Sequence, residues 1–429
     1  MKIVLLSGGS GQNLWPLSNN VRSKQFIKIF RDEKGNEESL LQRIHRQIRH
    51  YYSDMDCTIA TANAQVSTIL NQLNTDLHIS IEPERKDTFY AILLACEYLV
   101  GLNEIKQDET IIVCPTDLYV ENEFFSLFAQ LDARVQEGRK AYQLIGVQPD
   151  EVSTRYGYIK DNHFYNQVTK EEAKKLIEEG ALWNSGVVAF CLKDFLAQAK
   201  EIISYEDYLD LYAKYEELEP LSFDEAILKK SKIEALPYEG KWKDIGTWQT
   251  FTKEMQGNII GQGLLGEDCK NVHIINELDL PILCTGVEDI IVSASSQGVL
   301  VTSEEASESI KPYIAEINPR VMYSEKSWGA FHIIDVNEES LTIKVTMKKG
   351  EHMNYHSHEH RDEVWTIVSG EGKTIVDGME QFVKAGDVIT MQAGCKHTII
   401  ALTDLDIIEV QLGKEINVQD KTIFEYDFE

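Results

Sequence analysis

The sequence has few of the features that mark secreted, membrane-bound or nucleic-acid-binding proteins. Its seven cysteines form no CxxC pair, which argues against a disulfide framework or a zinc ribbon and favours a reducing compartment. No run of roughly 18 apolar residues occurs, and the first apolar run, KIVLL, is too short for a signal sequence. Basic residues are scarce, because 42 Lys and Arg stand against 70 Asp and Glu for a net charge of −28. These absences predict a soluble, cytoplasmic chain that binds neither nucleic acid nor a membrane surface.

The sequence also gives no indication of a Ser-His-Asp hydrolase. The chain has no GxSxG motif, which α/β-type Ser-His-Asp hydrolases use to present their nucleophile. The excess of acidic residues also means that an anionic substrate would need local cations or a metal ion in order to bind.

The pattern of predicted secondary structure changes twice along the chain. Up to about residue 255, short apolar runs alternate with helical patterns, which predicts an α/β domain with a mostly parallel sheet. The apolar runs lie at 2–6, 57–62, 78–83, 111–115 and 142–147, and helical patterns lie at 39–52, 88–102 and 171–180. Residues 256–322 carry short β-like runs and predict a β-rich connector. Residues 323–429 alternate strands with turns and predict a small β-barrel or sandwich.

Three polar features lie at the ends of predicted strands in the first domain. The glycine turn at 8–11 follows the first apolar run, and such turns either bind phosphate through backbone N–H groups or serve only as tight turns. Asp117 follows the run IIVCP, and Asp244 lies in WKDIG. An aspartate at such a place is more often a turn or cap residue than a metal ligand, but together the two would suit Mg²⁺ that bridges substrate phosphates.

A series of short motifs raises the specificity of this interpretation. Along 1–255 the chain carries, in order, GGSGQNLWPLS with Lys24-Gln25-Phe26, Glu82-Pro83 with Lys86-Asp87-Thr88, CPTD, Tyr156-Gly157-Tyr158, LWNSG, SFDEA and DIGTW. With these motifs the sequence resembles the sugar-1-phosphate nucleotidyltransferases, and within them the mannose-1-phosphate guanylyltransferase branch. The resemblance implies a Rossmann-like nucleotidyltransferase domain. Its reaction would be GTP and mannose-1-phosphate to GDP-mannose and pyrophosphate, with Mg²⁺.

The resemblance also implies roles for individual residues. The catalytic set would be Asn13, Lys24, Asp117 and Asp244, with Mg²⁺ on the two aspartates. The nucleotide-binding set would be Leu6, Gly8, Gly9, Ser10, Gly11, Glu82, Lys86 and Thr88. The sugar-phosphate set would be Gly157, Asn184 and Asp224, and Glu82 is also a candidate for ordering that pocket.

The chain departs from the family pattern at charged positions. The family has Arg where this chain has Asn13, a Glu-Lys-Pro tripeptide where it has Asn166-Gln167-Val168, and Pro where it has Ser23. Losing one donor aimed at transition-state charge typically costs on the order of 10²–10³ in rate. The basic residues near the motifs that are candidates to compensate are Arg22, Lys24, Lys86, Arg155 and Lys160. The alternative hypothesis is a homologue that binds a nucleotide or sugar phosphate without turning it over.

Histidines are concentrated near the C-terminus, where four lie between residues 352 and 360. His356 and His358 would share a strand face, Glu363 follows five residues later, and His397 begins another run. The spacing from Gly350 to Gly370, and from Gly386 to His397, resembles the cupin signature. The resemblance implies a cupin β-barrel with a divalent transition metal on His356, His358, Glu363 and His397, with Zn²⁺ the first choice. A metal-free structural barrel is the alternative.

The order of the two domains is itself a family match. In bifunctional guanylyltransferases a C-terminal cupin is a mannose-6-phosphate isomerase, which gives a third functional hypothesis for this chain. Two features differ from the isomerases: Ser327 replaces the Pro of a Pro-Trp-Gly motif, and the chain ends in FEYDFE without the arginine of the isomerase ending. We also expect a homo-oligomer.

Overall fold

The computed structural model describes residues 1–9, 12–19, 21–53, 57–73, 77–102, 105–139, 141–255, 257–317, 320–414, 416–417 and 420–428. The chain divides into two compact units. The first contains Met1–Leu14, Ser23–Val66 and Thr75–Gln256; the second contains Trp15–Arg22, Ser67–Asn74 and Gly257–Glu429. The second unit thus includes two short N-terminal segments that the sequence pattern assigns to the first domain. The boundaries at 255 and 322 stay predictions.

The helices are mostly amphipathic, and several begin at a side-chain cap such as Ser39, whose hydroxyl accepts from the N–H of Gln42. The bounds are α1 (Leu40–Tyr51), α2 (Val66–Leu73), α3 (Asp87–Gly101), α4 (Glu123–Gln136), α5 (Lys170–Glu178), α6 (Leu192–Ile202), α7 (Tyr208–Lys214), α8 (Phe223–Ala226), α9 (Trp248–Thr252) and α10 (Lys311–Ile317).

The strands of the first unit coincide closely with the predicted apolar runs. They are β1 (Lys2–Leu6), β2 (Phe30–Arg31), β3 (Glu37–Glu38), β4 (Cys57–Ala62), β5 (His78–Glu82), β6 (Thr110–Pro115), β7 (Leu118–Val120), β8 (Tyr142–Val147), β9 (Tyr158–Lys160), β10 (His163–Tyr165), β11 (Leu182–Cys191), β12 (Ile233–Tyr238) and β13 (Trp242–Asp244).

Within the described residues, the main sheet has nine strands in the order β10-β9-β11-β6-β1-β4-β5, with β8 beside β11 and β12 beside β8. β1 pairs in parallel with β4 and β6, and β4 pairs in parallel with β5, which confirms the predicted α/β fold. β11 runs antiparallel to β6, β8 and β9. The carboxyl ends of β1, β4, β5 and β6 therefore share one edge, the place where open α/β sheets bind ligands.

A continuous apolar core holds helix α3 against this sheet. Its residues include Phe89, Leu93, Val113, Phe190 and Phe223, all buried. Burying such aromatic and aliphatic side chains removes apolar surface from water, at about 25 cal/mol per Å². The core therefore keeps the ligand-binding edge of the sheet in place.

The part of the second unit that follows residue 257 begins with short strands. They are β14 (Ile259–Ile260), β15 (Gly263–Leu265), β16 (Lys270–Asn276), β17 (Ile282–Cys284), β18 (Glu288–Ser295) and β19 (Gly298–Ser303). β14, β16 and β18 pair in parallel, and β19 pairs antiparallel with β18. Residues Val272, Ile274, Cys284 and Val292 form a small core of their own.

The C-terminal strands form two antiparallel sheets, as the cupin resemblance predicts. They are β20 (Tyr323–Lys326), β21 (Gly329–Val336), β22 (Ser340–Met347), β23 (His356–Ser357), β24 (Asp362–Ser369), β25 (Glu371–Val376), β26 (Met379–Lys384), β27 (Val388–Met391), β28 (His397–Ala401), β29 (Leu405–Leu412) and β30 (Thr422–Ile423). The sheets have the orders β20-β21-β22-β29-β24-β27 and β26-β25-β28-β23-β30. Trp365, Met347 and Ile407 are buried between them.

Among the described residues, no helix is both long enough and apolar enough to cross a membrane.

Candidate functional site

Two aspartates that follow separate strands come together at the ligand-binding edge of the first sheet. Asp117 lies just after β6, and Asp244 is the last residue of β13. β13 pairs antiparallel with β7 so that Asp244 is in register with Leu118, the neighbour of Asp117. The structure therefore places side by side the two carboxylates that the sequence predicts as Mg²⁺ ligands.

Lys24 joins these two carboxylates. Its Nζ lies 2.8 Å from Oδ2 of Asp117 and 3.1 Å from Oδ1 of Asp244. Burial acts to lower the pKa of Lys24, but the two carboxylates outweigh it and raise that pKa, so the ammonium group stays charged. One cation already contacts both aspartates, and carboxylate oxygens are ligands that Mg²⁺ prefers. The donor set therefore fits Mg²⁺.

Both aspartates line a cleft of about 370 Å³, a size typical of small-molecule sites. Its lining combines acidic, aromatic and glycine residues: Leu6, Asp87, Thr88, Ile92, Val113, Pro115, Asp117, Leu118, Arg155, Tyr156, Gly157, Asn184, Ser185, Gly186, Val188, Ser222, Phe223, Asp224, Leu228, Trp242 and Asp244. The rings of Tyr156 and Trp242 pack edge to face in the cleft lining, with their centroids 5.1 Å apart.

The glycine turn after β1 is held by side chains from other parts of the chain. Oγ of Ser23 donates a hydrogen bond to the carbonyl of Gly9 at 2.6 Å. Nε2 of Gln65 donates to the same carbonyl at 3.3 Å and to Oγ of Ser23 at 2.6 Å. Ser23, which replaces a proline of the family pattern, thus fixes the position of Gly9. Two further predicted residues of this turn, Ser10 and Gly11, lie outside the described residues.

Glu82 is a buried carboxyl group beside this turn. The Tyr215 hydroxyl donates to its Oε2 at 2.7 Å, and burial raises the pKa of Glu82 to about 7. A Cβ atom on Gly8 would lie 3.0 Å from Oε1 of Glu82, so glycine leaves room for the carboxyl group. Leu6, at the end of β1, lines the cleft itself.

Asp224 and Thr88 bring a second acidic region into the cleft. Burial, together with the nearby charge of Asp87, raises the pKa of Asp224 to about 6. Oγ1 of Thr88 accepts a hydrogen bond from the N–H of Phe223 at 2.8 Å, which ties the start of α3 to α8. Both predicted residues therefore lie at the cleft.

Gly157 and Asn184 lie side by side in the cleft wall. The N–H of Asn184 donates to the carbonyl of Gly157 at 2.8 Å, and Oδ1 of Asn184 accepts from the N–H of Gly186 at 3.0 Å. A Cβ on Gly157 would lie 2.5 Å from Cζ of Phe164, so any larger residue would collide with that ring. Glycine at 157 is thus required by packing as well as by any role in binding.

Three positions discussed in the sequence analysis lie away from the cleft lining. Nζ of Lys86 donates to the carbonyl of Glu216 at 2.8 Å, and Nδ2 of Asn166 donates to Oε1 of Glu225 at 3.1 Å. Asn13 is half-buried in a short 3-10 turn. None of these three is among the described residues that line the cleft. Substrate roles for Lys86 and Asn13 stay predictions.

A second cluster lies inside the C-terminal barrel. His356, His358 and His397 are buried, and one potential ligand atom from each lies within 4.8 Å of the others. His356 pairs with His397 across β23 and β28. The Glu363 carboxylate oxygens lie 3.1 Å from Nε2 of His358 and 3.2 Å from Nε2 of His397. The four predicted cupin ligands therefore come together.

The tautomers of these histidines are set by backbone carbonyls. Nδ1 of His356 lies 2.6 Å from the carbonyl of Asn354, and Nδ1 of His397 lies 3.0 Å from that of Cys395. Nδ1 of His358 hydrogen-bonds with the carbonyl of Asp420. Donation from Nδ1 leaves Nε2 with its lone pair, the arrangement that metal-binding histidines need.

The protonation states also suit a metal. Burial lowers the pKa of His356 to about 2 and that of His358 to about 4, so both imidazoles are neutral near pH 7. Burial acts to raise the pKa of Glu363, but its contact with His397 and the nearby charge of Arg361 hold it low. Neutral imidazoles and an ionised carboxylate are the forms that bind divalent transition metals.

Comparison with known proteins assigns both parts of the chain. The family model of the nucleotidyl transferases matches residues 2–258, more than half of the sequence. The chain belongs to the nucleotidyl transferase family. This confirms the family predicted from the motifs. The cupin domain model matches residues 343–410, which confirms the predicted fold of the C-terminal barrel.

Curated relatives match over nearly the full length of this nucleotidyl transferase. Mannose-1-phosphate guanylyltransferase 2 of Escherichia coli O157:H7 is 24% identical, over 97% of this chain and 96% of its own. Alginate biosynthesis protein AlgA of Pseudomonas syringae pv. tomato is 26% identical, over 98% and 95%. Among solved structures, a Thermus thermophilus protein described as a mannose-1-phosphate geranyltransferase superposes with a TM-score of 0.59 at 20% identity. The match covers 74% of this chain and 99% of that protein, and it shows a shared fold.

Three polar residues near the histidine cluster were not identified as site residues from the sequence. Nε of Arg361 donates to Oε1 of Glu363 at 3.0 Å, and its Nη2 donates to Nε2 of His358 at 3.0 Å. Glu409 and Gln411 are buried on β29, in the same alternation as the apolar residues 405 and 407. That alternation was a usable signal, because polar residues at inward positions of a strand mark a polar interior.

Proposed function

We propose that this chain is a mannose-1-phosphate guanylyltransferase, which forms GDP-mannose and pyrophosphate from GTP and mannose-1-phosphate. The observation that carries the proposal is the contact of Lys24 with both Asp117 and Asp244 at the edge of a ligand-sized cleft. Family membership and the names of the full-length relatives support the reaction and its substrates.

The reaction needs little covalent chemistry from the protein. A phosphate oxygen of the sugar-1-phosphate attacks the α-phosphorus of GTP, the bond to the oxygen that bridges to the β-phosphate breaks, and pyrophosphate leaves with the electron pair. The attacking oxygen is already an anion, so positioning and charge stabilisation supply the catalysis. Mg²⁺ held by Asp117 and Asp244 would withdraw negative charge from the phosphate oxygens when bound.

The remaining predicted site residues are proposed to position the two substrates. We assign nucleotide contacts to Leu6, Gly8, Gly9, Ser10, Gly11, Glu82, Lys86 and Thr88, and sugar-phosphate contacts to Gly157, Asn184 and Asp224. Leu6, Thr88, Gly157, Asn184 and Asp224 line the cleft, which supports their part of this assignment.

Turnover of the purified protein with GTP, Mg²⁺ and mannose-1-phosphate tests the proposal. We expect pyrophosphate and GDP-mannose to appear in equal amounts, and Asp244→Asn to lower kcat on the order of 10²–10³-fold. The matched control is Asp150→Asn, because Asp150 is exposed and paired with Lys243. Binding of GTP without turnover of any sugar-1-phosphate would contradict the proposal and support the alternative of a nucleotide-binding module.

The histidine cluster favours a second activity, a metal-dependent mannose-6-phosphate isomerase in the cupin part, with Zn²⁺ as the proposed metal. Its support is the arrangement of His356, His358, His397 and Glu363, together with the neutral imidazoles of His356 and His358. Conversion of mannose-6-phosphate to fructose-6-phosphate by the zinc-loaded protein, and its loss in His397→Ala, is the expected result. No conversion with Zn²⁺, Fe²⁺, Mn²⁺ or Ni²⁺ would leave the cupin as a structural or metal-binding barrel.

A cytoplasmic location and a homo-oligomeric state complete the proposal. Cell fractionation and light scattering of the purified protein test these two points.

A further inference from the structure

The cleft of the first unit is acidic, although its proposed substrates are anions. Four aspartates line it: Asp87, Asp117, Asp224 and Asp244. Among the described residues that line the cleft, Arg155 is the one basic side chain. A triphosphate would be repelled by so many carboxylates unless cations face it directly. The position of each nearby basic residue therefore decides how phosphate can bind.

The structure places two of the other candidate cations in ion pairs. Nη1 and Nη2 of Arg22 donate to the carboxylate of Glu277, at 2.8 and 2.9 Å, within the second unit. Nζ of Lys86 lies 2.8 Å from Oε2 of Glu84 and is nearly buried. Both charges are already paired, so a substrate phosphate would have to compete with a carboxylate for either side chain.

Lys160 and Lys24 are the other two candidates, and neither offers the cleft a free cation. Lys160 pairs with Glu179 on the surface, and it is not among the described residues of the cleft. Lys24 contacts both Asp117 and Asp244, so its charge balances the proposed metal ligands. Arg155 alone combines a place in the cleft lining with a largely unused set of donors.

The geometry of Arg155 suits phosphate recognition. Its guanidinium lies 5.5 Å from the ring centroid of Tyr156, which supports its side chain. Nη2 lies 3.5 Å from Oδ2 of Asp244, a long contact, and the side chain is 35% exposed. An arginine carries five N–H donors, and among the described contacts only Nη2 has a partner. The planar group can therefore bind phosphate oxygens through two parallel hydrogen bonds.

We propose that Arg155 is the side chain that binds the triphosphate of the nucleotide and stabilises the departing pyrophosphate. Asn13 cannot supply this charge, because an amide side chain is neutral. As the bond between the α-phosphorus and its bridging oxygen breaks, negative charge grows on the pyrophosphate, and the guanidinium balances it. The inference rests on the proposed nucleotidyl transfer for the kinetic role, while the contact with phosphate can be tested by binding alone.

The experiment uses the full chain and the variants Arg155→Met, Arg155→Lys and Lys160→Met. Calorimetry with GTP and, separately, with inorganic pyrophosphate measures binding in the presence of Mg²⁺, and turnover with mannose-1-phosphate measures catalysis. We expect Arg155→Met to weaken binding of both probes about tenfold or more and to lower kcat on the order of 10²–10³-fold. Arg155→Lys should recover most of the binding but less of kcat, because it keeps the charge and loses the planar pair of donors. Lys160→Met should match the wild type.

The outcomes separate this proposal from the proposed function. An active wild type with an equally active Arg155→Met would overturn the role of Arg155 and leave the function in place. If the wild type turns over no substrate pair, the proposed function fails, but the binding measurements still test the role of Arg155. Weaker binding of both probes by Arg155→Met alone supports the contact with phosphate. Unchanged affinity in Arg155→Met overturns it. A wild type that binds neither probe overturns it as well. A melting curve of each variant, and Arg155→Gln as a second neutral variant, exclude misfolding as the cause.

Discussion

The ammonium group of Lys24 lies within 3.1 Å of oxygens on both Asp117 and Asp244. Two carboxylates in a cleft repel each other, and a cation between them offsets that repulsion. The same oxygens are the proposed ligands of Mg²⁺. At the scale of single residues, Lys24 and a divalent ion therefore compete for one pair of carboxylates.

Replacing Lys24 should accordingly strengthen metal binding while it weakens catalysis. In Lys24→Met we expect tighter binding of Mn²⁺ in the absence of nucleotide, about tenfold, because both carboxylates lose their intramolecular partner. Electron paramagnetic resonance of free and bound Mn²⁺ measures the change. Lys243→Met is the matched control, because Lys243 pairs with Asp150 instead. Weaker Mn²⁺ binding in Lys24→Met would show that the lysine does not compete with the ion.

The buried carboxyl group of Glu82 should make the stability of the protein depend on pH. Its pKa of about 7 in the folded protein is above the value of 4.5 for an unperturbed glutamate, mainly because of burial. The folded state therefore holds a proton that the unfolded chain has released. The bound proton therefore contributes to the stability of the folded state. That contribution is fully present below about pH 4.5 and is lost as the pH rises through about 7.

We expect the free energy of unfolding of the wild type to fall between about pH 5 and pH 7.5 by more than that of Glu82→Gln. The difference should be on the order of 3 kcal/mol, since one pKa unit corresponds to about 1.4 kcal/mol. Glutamine keeps an acceptor for the Tyr215 hydroxyl, so the comparison isolates the titration. Urea unfolding of both proteins across this range gives the measurement, and parallel slopes would contradict the expectation.

At the scale of elements, the C-terminal segment 420–428 supports the histidine cluster. β30 pairs with β23, the strand that carries His356. The Asp420 carboxylate accepts hydrogen bonds from the N–H groups of Glu359 and His360, at 2.8 and 3.1 Å. The carbonyl of Asp420 also hydrogen-bonds with Nδ1 of His358. This short segment thus orients a candidate metal ligand without being one itself.

Asp420→Ala should therefore weaken metal binding at the histidine cluster by about tenfold, because the lost carboxylate no longer anchors the carbonyl that orients His358. Competition of the protein with a chelator for Co²⁺, followed by visible absorption, measures the affinity. Glu425→Ala is the matched control, because that residue is exposed in the same segment. Equal affinities for the two variants and the wild type would mean that the carboxylate of Asp420 does not position His358.

At the scale of the whole molecule, the net charge of −28 argues against phosphate binding, yet the proposed substrates are phosphates. The conflict is resolved by distance. At physiological ionic strength charges are screened over about 8 Å, so remote acidic residues contribute little inside a cleft. Inside the cleft, the charges of the four lining aspartates, Arg155 and Lys24 set the local potential. Net charge therefore predicts which partners bind the protein non-specifically, but it does not predict the chemistry of a particular site.

Much of the fold could be predicted from local patterns. The runs predicted at 2–6 and 142–147 are β1 and β8 without change, and the helical pattern at 39–52 is α1 to within two residues. Periodicity and caps depend on near neighbours, so they are visible in one sequence. The direction of β11 and the inclusion of 15–22 and 67–74 in the second unit were not predicted. They depend on which distant segments pack together.

By itself the sequence determined the family and the order of the domains, and it predicted the residues that would carry the chemistry, because motifs and spacings are written along one chain. It could also show that Asn13 lacks a charge, and it offered five basic residues in compensation. Only the tertiary structure decided among them. It placed Arg22 and Lys86 in ion pairs, Lys160 on the surface, and Arg155 in the cleft. The physical reason is that electrostatic interactions depend on distances between atoms, and folding sets those distances between residues far apart in sequence.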